Sequence, residues 1–84
     1  MKWKVKIHRK AYQELERIHP KYKNQILKKI HALAENPYVG EKLHGEWQGF
    51  RKIRVGDYRI VYTVEEEVKI LFIVKIGHRK DVYK

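Results

Sequence analysis

The stretch Arg51-Lys52-Ile53-Arg54-Val55-Gly56-Asp57-Tyr58-Arg59-Ile60 alternates charged and apolar residues on either side of Gly56-Asp57. Two alternating runs joined by two turn residues predict a β-hairpin, and glycine at the first turn position suits a type II′ turn. That turn sets the register: Ile53 opposite Ile60, Val55 opposite Tyr58, and Arg54 opposite Arg59. Lys52, Arg54 and Arg59 then share one face, and Ile53, Val55, Tyr58 and Ile60 the other. Like charges directly across a strand pair are destabilising by about a few tenths of a kcal/mol. Keeping them there points to a face that holds an anion.

Working outward, Trp3, Val5 and Ile7 alternate with lysines, the period of a half-buried strand whose solvent side discourages edge pairing. From about Arg9 to Ile18 the apolar positions Ala11, Tyr12, Leu15 and Ile18 fall at helical spacing. His19-Pro20 ends that helix and opens another, because proline suits a first helical turn and biases its predecessor away from helix. The second helix, about Lys21 to Glu35, carries Tyr22, Ile26, Ile30, Leu33 and Ala34 on one stripe, and Asn36-Pro37 stops it. A loop to about Gly49 precedes strands at 50–55, 58–65 and 68–77. A three-residue turn at Glu65-Glu66-Glu67 would set Tyr62 against Ile70 and Ile60 against Phe72. Val68, Ile70, Phe72, Val74 and Ile76 would then face inward, leaving Val61, Leu71 and Ile73 as a partly apolar outer stripe. In that register Lys75, Gly77, His78 and Arg79 arrive beside the Gly56-Asp57 turn. Tyr12, Tyr22, Tyr58, Tyr62 and Phe72 are core by periodicity, and Trp47 either caps the sheet or meets a partner. The fold class is α+β: an N-terminal strand, a two-helix hairpin and a three-stranded antiparallel meander, with the helices packed on one side of the sheet. Residues 1–84 read as one domain.

Composition bounds the partners. Twenty Lys and Arg against ten Asp and Glu give a formal charge of +10 over 84 residues. Such an excess attracts nucleic acid, anionic membranes or an acidic protein. The absence of cysteine excludes a disulfide frame and thiolate metal sites. His8, His19, His31 and His44 have no metal-ligand spacing, so no metal site is expected. There is no signal peptide and no apolar run long enough for a membrane span, so a cytoplasmic protein without membrane contact is expected.

Three segments carry a family resemblance: Leu43-x-Gly45, then Lys52-Ile53-Arg54-Val55-Gly56-Asp57-Tyr58-Arg59-Ile60-Val61-Tyr62, then Ile76-Gly77-His78-Arg79-Lys80-Asp81-Val82-Tyr83. In this order and spacing the chain resembles the RelE/ParE superfamily of toxins from type II toxin–antitoxin systems, and most of all its RelE branch of mRNA interferases. The resemblance implies a metal-independent endoribonuclease that enters the ribosomal decoding site and cuts the message with the RNA 2′-hydroxyl as nucleophile. It implies no cofactor. Ribosome, mRNA and a cognate antitoxin are the implied partners, with Val61, Leu71 and Ile73 as a landing stripe for antitoxin helices. By position the reactive cluster falls on Lys52, Arg54, Arg59, Arg79 and Tyr83, with Arg51, Lys75, His78 and Lys80 as further RNA contacts.

Such cleavage needs a proton taken from the 2′-hydroxyl, charge stabilised on the phosphate, and a proton given to the leaving oxygen. Arginine does not give up its proton but forks onto phosphate, which suits Arg54, Arg59 and Arg79 to clamping. Lys52 can exchange a proton and is the candidate base, while Tyr83 could stack on a base or pass a proton and His78 is an unassigned acid or base. Some RelE members carry lysine where this chain has Arg54, so proton transfer falls on Lys52, Tyr83 or His78. Surface cations on a basic protein most often form only a solvated face. Two other functions are compatible with the same superfamily: a ParE-type poison of DNA gyrase, and an inactive homologue that only binds its antitoxin.

Overall fold

The computed structural model describes residues 3–78 and 80; Arg79 and Tyr83 of the expected cluster lie outside them. Strand β1 (Lys4–Ile7) leads into helices α1 (Arg9–Arg17) and α2 (Pro20–Glu35). A short β2 (Glu41–Lys42) follows, then β3 (Arg51–Val55), β4 (Tyr58–Glu65) and β5 (Ile70–His78). Single 3-10 turns at Pro37–Val39 and Gly45–Trp47 flank β2. The strands form one sheet in the order β1-β5-β4-β3-β2, with β1 parallel to β5 and the other pairings antiparallel.

Local chemistry sets the helices. His8 and His19 precede α1 and α2, and the Nδ1 of each accepts the backbone N–H two residues on, from Lys10 at 3.1 Å and Lys21 at 3.2 Å. Each imidazole thus takes one of the donors that a helix start leaves without an intrahelical partner. Between the helices Ile18 and His19 are extended, as a residue before proline prefers, and Pro20 opens α2. The helices bury Ala11, Leu15, Ile26, Ile30 and Leu33 against Ile60, Tyr62, Leu71, Ile73 and Ile76 on one face of the sheet. Tyr12 and Tyr22, expected in that core, are instead 51% and 42% exposed at its margin. The Tyr12 hydroxyl bonds the Glu16 carboxylate, which holds the phenol above its ordinary pKa.

The hairpin has the predicted register, with Ile53 paired to Ile60, Arg54 to Arg59 and Val55 to Tyr58. Gly56 has φ +60, and Asp57 is not among the residues of positive φ, as a type II′ turn requires. The second hairpin departs from expectation. Its turn spans Glu66 to Lys69, with Lys69 left-handed at φ 56, so Glu65 pairs with Ile70. A register shift between Val61 and Tyr62 leaves Val74 as an extra residue in β5, and Tyr62 pairs with Ile73 and Ile60 with Ile76. A bulge of one residue reverses which alternate side chains face the core. Leu71 and Ile73 therefore face the helices together with Ile76 and are fully buried, while Ile70, Phe72 and Val74 are half-buried and Val68 is exposed. The outer stripe of Val61, Leu71 and Ile73 does not exist. Two of its members are core, and Val61 is itself fully buried on the opposite face.

The long segment between α2 and β3 is pinned from inside the sheet. Tyr62, fully buried, receives the Gly40 N–H at 2.9 Å and donates its hydroxyl to the Pro37 carbonyl at 2.8 Å. A Cβ on Gly40 would collide with that hydroxyl and approach the Lys52 carbonyl oxygen to 2.9 Å. Tyr62→Phe should cost about 1–3 kcal/mol, because a buried donor and a buried acceptor lose this partner. Burial also raises the phenol's pKa, against a smaller opposite effect of the Gly40 hydrogen bond. The neutral phenol is thus favoured by folding, and its contribution is complete below the ordinary tyrosine range and lost as pH rises through the raised folded value. Urea midpoints should therefore fall less steeply with alkaline pH in Tyr62→Phe than in the wild type.

Candidate functional site

The face of the sheet turned away from the helices is built by strand register. Partners across a ladder share a face, so Glu41, Lys52, Val61 and Lys75 form one row across β2, β3, β4 and β5. Arg54, Arg59 and Gly77 form the next row. Four cations from three strands thus meet one carboxylate on a patch two rows deep. Glu41 Oε2 lies 3.8 Å from Lys52 Nζ, whose side chain is only 26% exposed. Arg54 donates through Nε to the Gly56 carbonyl at 2.8 Å, bracing its guanidinium over the hairpin turn. Gly77, opposite Arg59, puts no side chain beside that guanidinium.

The patch has an aromatic border. The turn after β2 brings Trp47 against Phe50, with centroids 5.3 Å apart at 78°, and Lys75 Nζ lies 5.6 Å from the Trp47 ring centre. Val61, between Lys52 and Lys75 in its row, has no exposed surface. The surface around it is therefore packed, unlike a fringe of freely solvated lysines. Trp47 is half-buried there, with part of its ring at the surface beside Lys75.

The remaining expected residues fall elsewhere. Arg51 alternates with Lys52 and sits across from Tyr62 on the other face. There its Nη1 donates to the carbonyls of Tyr38 at 3.0 Å and Gly40 at 2.9 Å, and its guanidinium lies over the Tyr38 ring. It braces the 37–40 turn and does not join the cationic patch. His78 is paired with Tyr58, whose face is that of the helices, with rings 5.8 Å apart. Its Nδ1 accepts the Lys80 N–H at 3.3 Å. Lys80 is exposed beyond the strand end. Nothing in the sequence marks Glu41, because a two-residue strand has no periodicity.

A family model described as ParE toxin of type II toxin–antitoxin systems matches residues 5–83, and the chain belongs to this family. It is a toxin of a toxin–antitoxin pair with RelE-type relatives. RelE1 of Methanocaldococcus jannaschii is 32% identical over 89 residues, covering 100% of this chain and 98% of the relative. The mRNA interferase toxin RelE of Escherichia coli K12 is 29% identical over 73 residues, covering 84% of this chain and 77% of the relative. Among solved structures, the toxin–antitoxin complex RelBE2 from Mycobacterium tuberculosis superposes with a TM-score of 0.87 at 25% identity, covering 94% of this chain and 100% of that one. The archaeal RelE–RelB complex from Pyrococcus horikoshii gives 0.81 at 27%, covering 98% and 100%.

Proposed function

We propose that this toxin is an endoribonuclease that cuts mRNA in the ribosomal decoding site by metal-independent attack of the RNA 2′-hydroxyl. The observation that carries the reading is the convergence of Lys52, Arg54, Arg59 and Lys75 on one packed face, in a chain whose relatives include a named mRNA interferase. In the reaction Lys52 takes part in removing the 2′-hydroxyl proton, and the 2′-oxygen bonds to the adjacent phosphorus. The bond from phosphorus to the 5′-oxygen breaks and that oxygen takes up a proton, from Tyr83 by the family resemblance, giving a 2′,3′-cyclic phosphate and a 5′-hydroxyl. Arg54 and Arg59 hold the phosphate oxygens as charge builds on them, which is where fixed cations lower a barrier most. Lys75 and Lys80 track neighbouring phosphates. By the family resemblance Arg79 adds a further cation and Tyr83 a stacking or proton-transfer group. Glu41, 3.8 Å from the half-buried Lys52 Nζ, helps to fix where that group sits on the face.

The toxin acts in the cytoplasm and is held inactive by an antitoxin, as RelB accompanies RelE in the related complexes. Primer extension on a reporter message, with and without ribosomes, tests the reading. New 5′ ends should appear only on ribosome-bound message. An intact message together with loss of gyrase supercoiling activity would assign the chain to gyrase poisoning instead.

A further inference from the structure

β1 accompanies β5 only from Ile70 to Ile73, and the His8 N–H closes that pairing on the Ile73 carbonyl. Beyond it, from Val74 to His78, no strand lies on that edge of β5 among the described residues. The vacated edge, one side of α1 along its length and the turn carrying Trp47 border an open cleft of about 850 Å³, whose lining includes Trp47, Phe50, Tyr58, Lys75, Gly77 and His78. Lys10 and Arg17 of α1 line its far wall, and Arg17 Nη1 lies 3.3 Å from Glu14 Oε1. The volume is that of a small-molecule site. Two features make it suited to a flat heteroaromatic ring. Aromatic side chains line it, and a strand edge offers backbone N–H and C=O groups without strand neighbours.

The cleft also adjoins the cationic patch. Lys75 belongs to both, and Gly77 is paired to Arg59 across one strand spacing, about 5 Å. A phosphate held between Lys52 and Arg59 would place the nucleoside next to it at the mouth of the cleft. We propose that this cleft binds an unstacked nucleobase of single-stranded RNA flanking the scissile phosphate, with Trp47 as the stacking surface and Lys75 on the phosphate that follows. The inference rests on the ribonuclease reading and adds the element that holds the base. A β-strand from an acidic protein is the other occupant an open edge could take. The edge here runs beside rings and into a row of phosphate-sized cations, which favours a nucleotide.

The chain has two tryptophans, so Trp3→Phe leaves Trp47 as the reporter. Titration with a short single-stranded oligoribonucleotide, made uncleavable by 2′-O-methylation, should quench Trp47 emission. Trp47→Leu should bind about 5- to 100-fold more weakly, the loss expected for one base stacked on an aromatic ring. The dependence of affinity on salt should stay unchanged, because the phosphate contacts remain. Placing an abasic site along the oligonucleotide should reproduce that loss at one position in the wild type and cause no further loss there in Trp47→Leu. The abasic series on wild-type protein reads the cleft even if the variant folds poorly. Equal affinity of wild type and Trp47→Leu, or abasic penalties that persist in the variant, would overturn the proposal while leaving ribosome-dependent cleavage standing. Quenching by an acidic (Glu-Val)4 peptide but not by RNA would overturn it in favour of a protein strand. Loss of cleavage on ribosomes in the wild type would remove the ribonuclease reading itself.

Discussion

Lys52→Met should leave a folded toxin that cuts ribosome-bound message about 10²–10⁴-fold more slowly, the range for loss of a positioned acid or base. The methylene stem that lies beside Val61 is retained in methionine, and three cations remain on the face to hold RNA. Binding should therefore fall far less than rate. Glu41, 3.8 Å from Lys52 Nζ, sharpens the experiment. If Glu41 serves only to hold Lys52 in place, Glu41→Gln should cost much less than Lys52→Met, whereas equal losses would make the two a functional pair. Full cleavage by Lys52→Met would move the proton transfer to Tyr83. Single-turnover rates on programmed ribosomes, with binding measured separately, decide among these outcomes.

Arg59→Gln should separate stability from activity. Arg54 and Arg59 are directly paired, and like charges in that position repel. Removing one should stabilise the fold by about a few tenths of a kcal/mol at low ionic strength and less as salt screens the pair, read as a slightly higher urea midpoint. Cleavage should fall about 10²–10³-fold if the guanidinium stabilises charge on the phosphate. Arg54→Gln would lose the hydrogen bond to the Gly56 carbonyl together with the charge. A variant that is less stable, and whose lost cleavage follows its unfolded fraction, would make Arg59 a structural residue.

The pattern of these results reflects how the chain encodes its site. The hairpin that carries Lys52, Arg54 and Arg59 was legible, because a two-residue turn leaves one register and strict alternation then assigns every side chain to a face. The apolar stripe of α2 was legible from the helical period, with Ile26, Ile30, Leu33 and Ala34 all buried. The pairing of β5 was not. Three consecutive glutamates give no count for a turn that ends in a left-handed lysine, and the bulge at Val74 has no glycine to announce it. The turn shifts the pairing by an odd number of residues, which moves Leu71 and Ile73 from surface to core together, and the bulge then restores the expected face at Ile76. Tyr12 and Tyr22 sit at helical spacing yet at the margin of the buried stripe, where a phenol can keep its hydroxyl in water. The partners of Arg51 could not be read either, since the carbonyls of Tyr38 and Gly40 come from a turn positioned only by Tyr62. What the site owes to local alternation was readable. What it owes to distant backbone, including Glu41 beside Lys52, was not.

The central claim is that the cationic face of this toxin acts on the 2′-hydroxyl of message held in the ribosome. It is tested most directly by a message carrying a single 2′-deoxynucleotide on the 5′ side of the mapped cut, on otherwise identical programmed ribosomes. The expected result is loss of the cut at that position alone, with neighbouring codons cut as before and the unmodified message yielding a 2′,3′-cyclic phosphate end. Cleavage of the deoxy-substituted position at the unmodified rate would contradict the account.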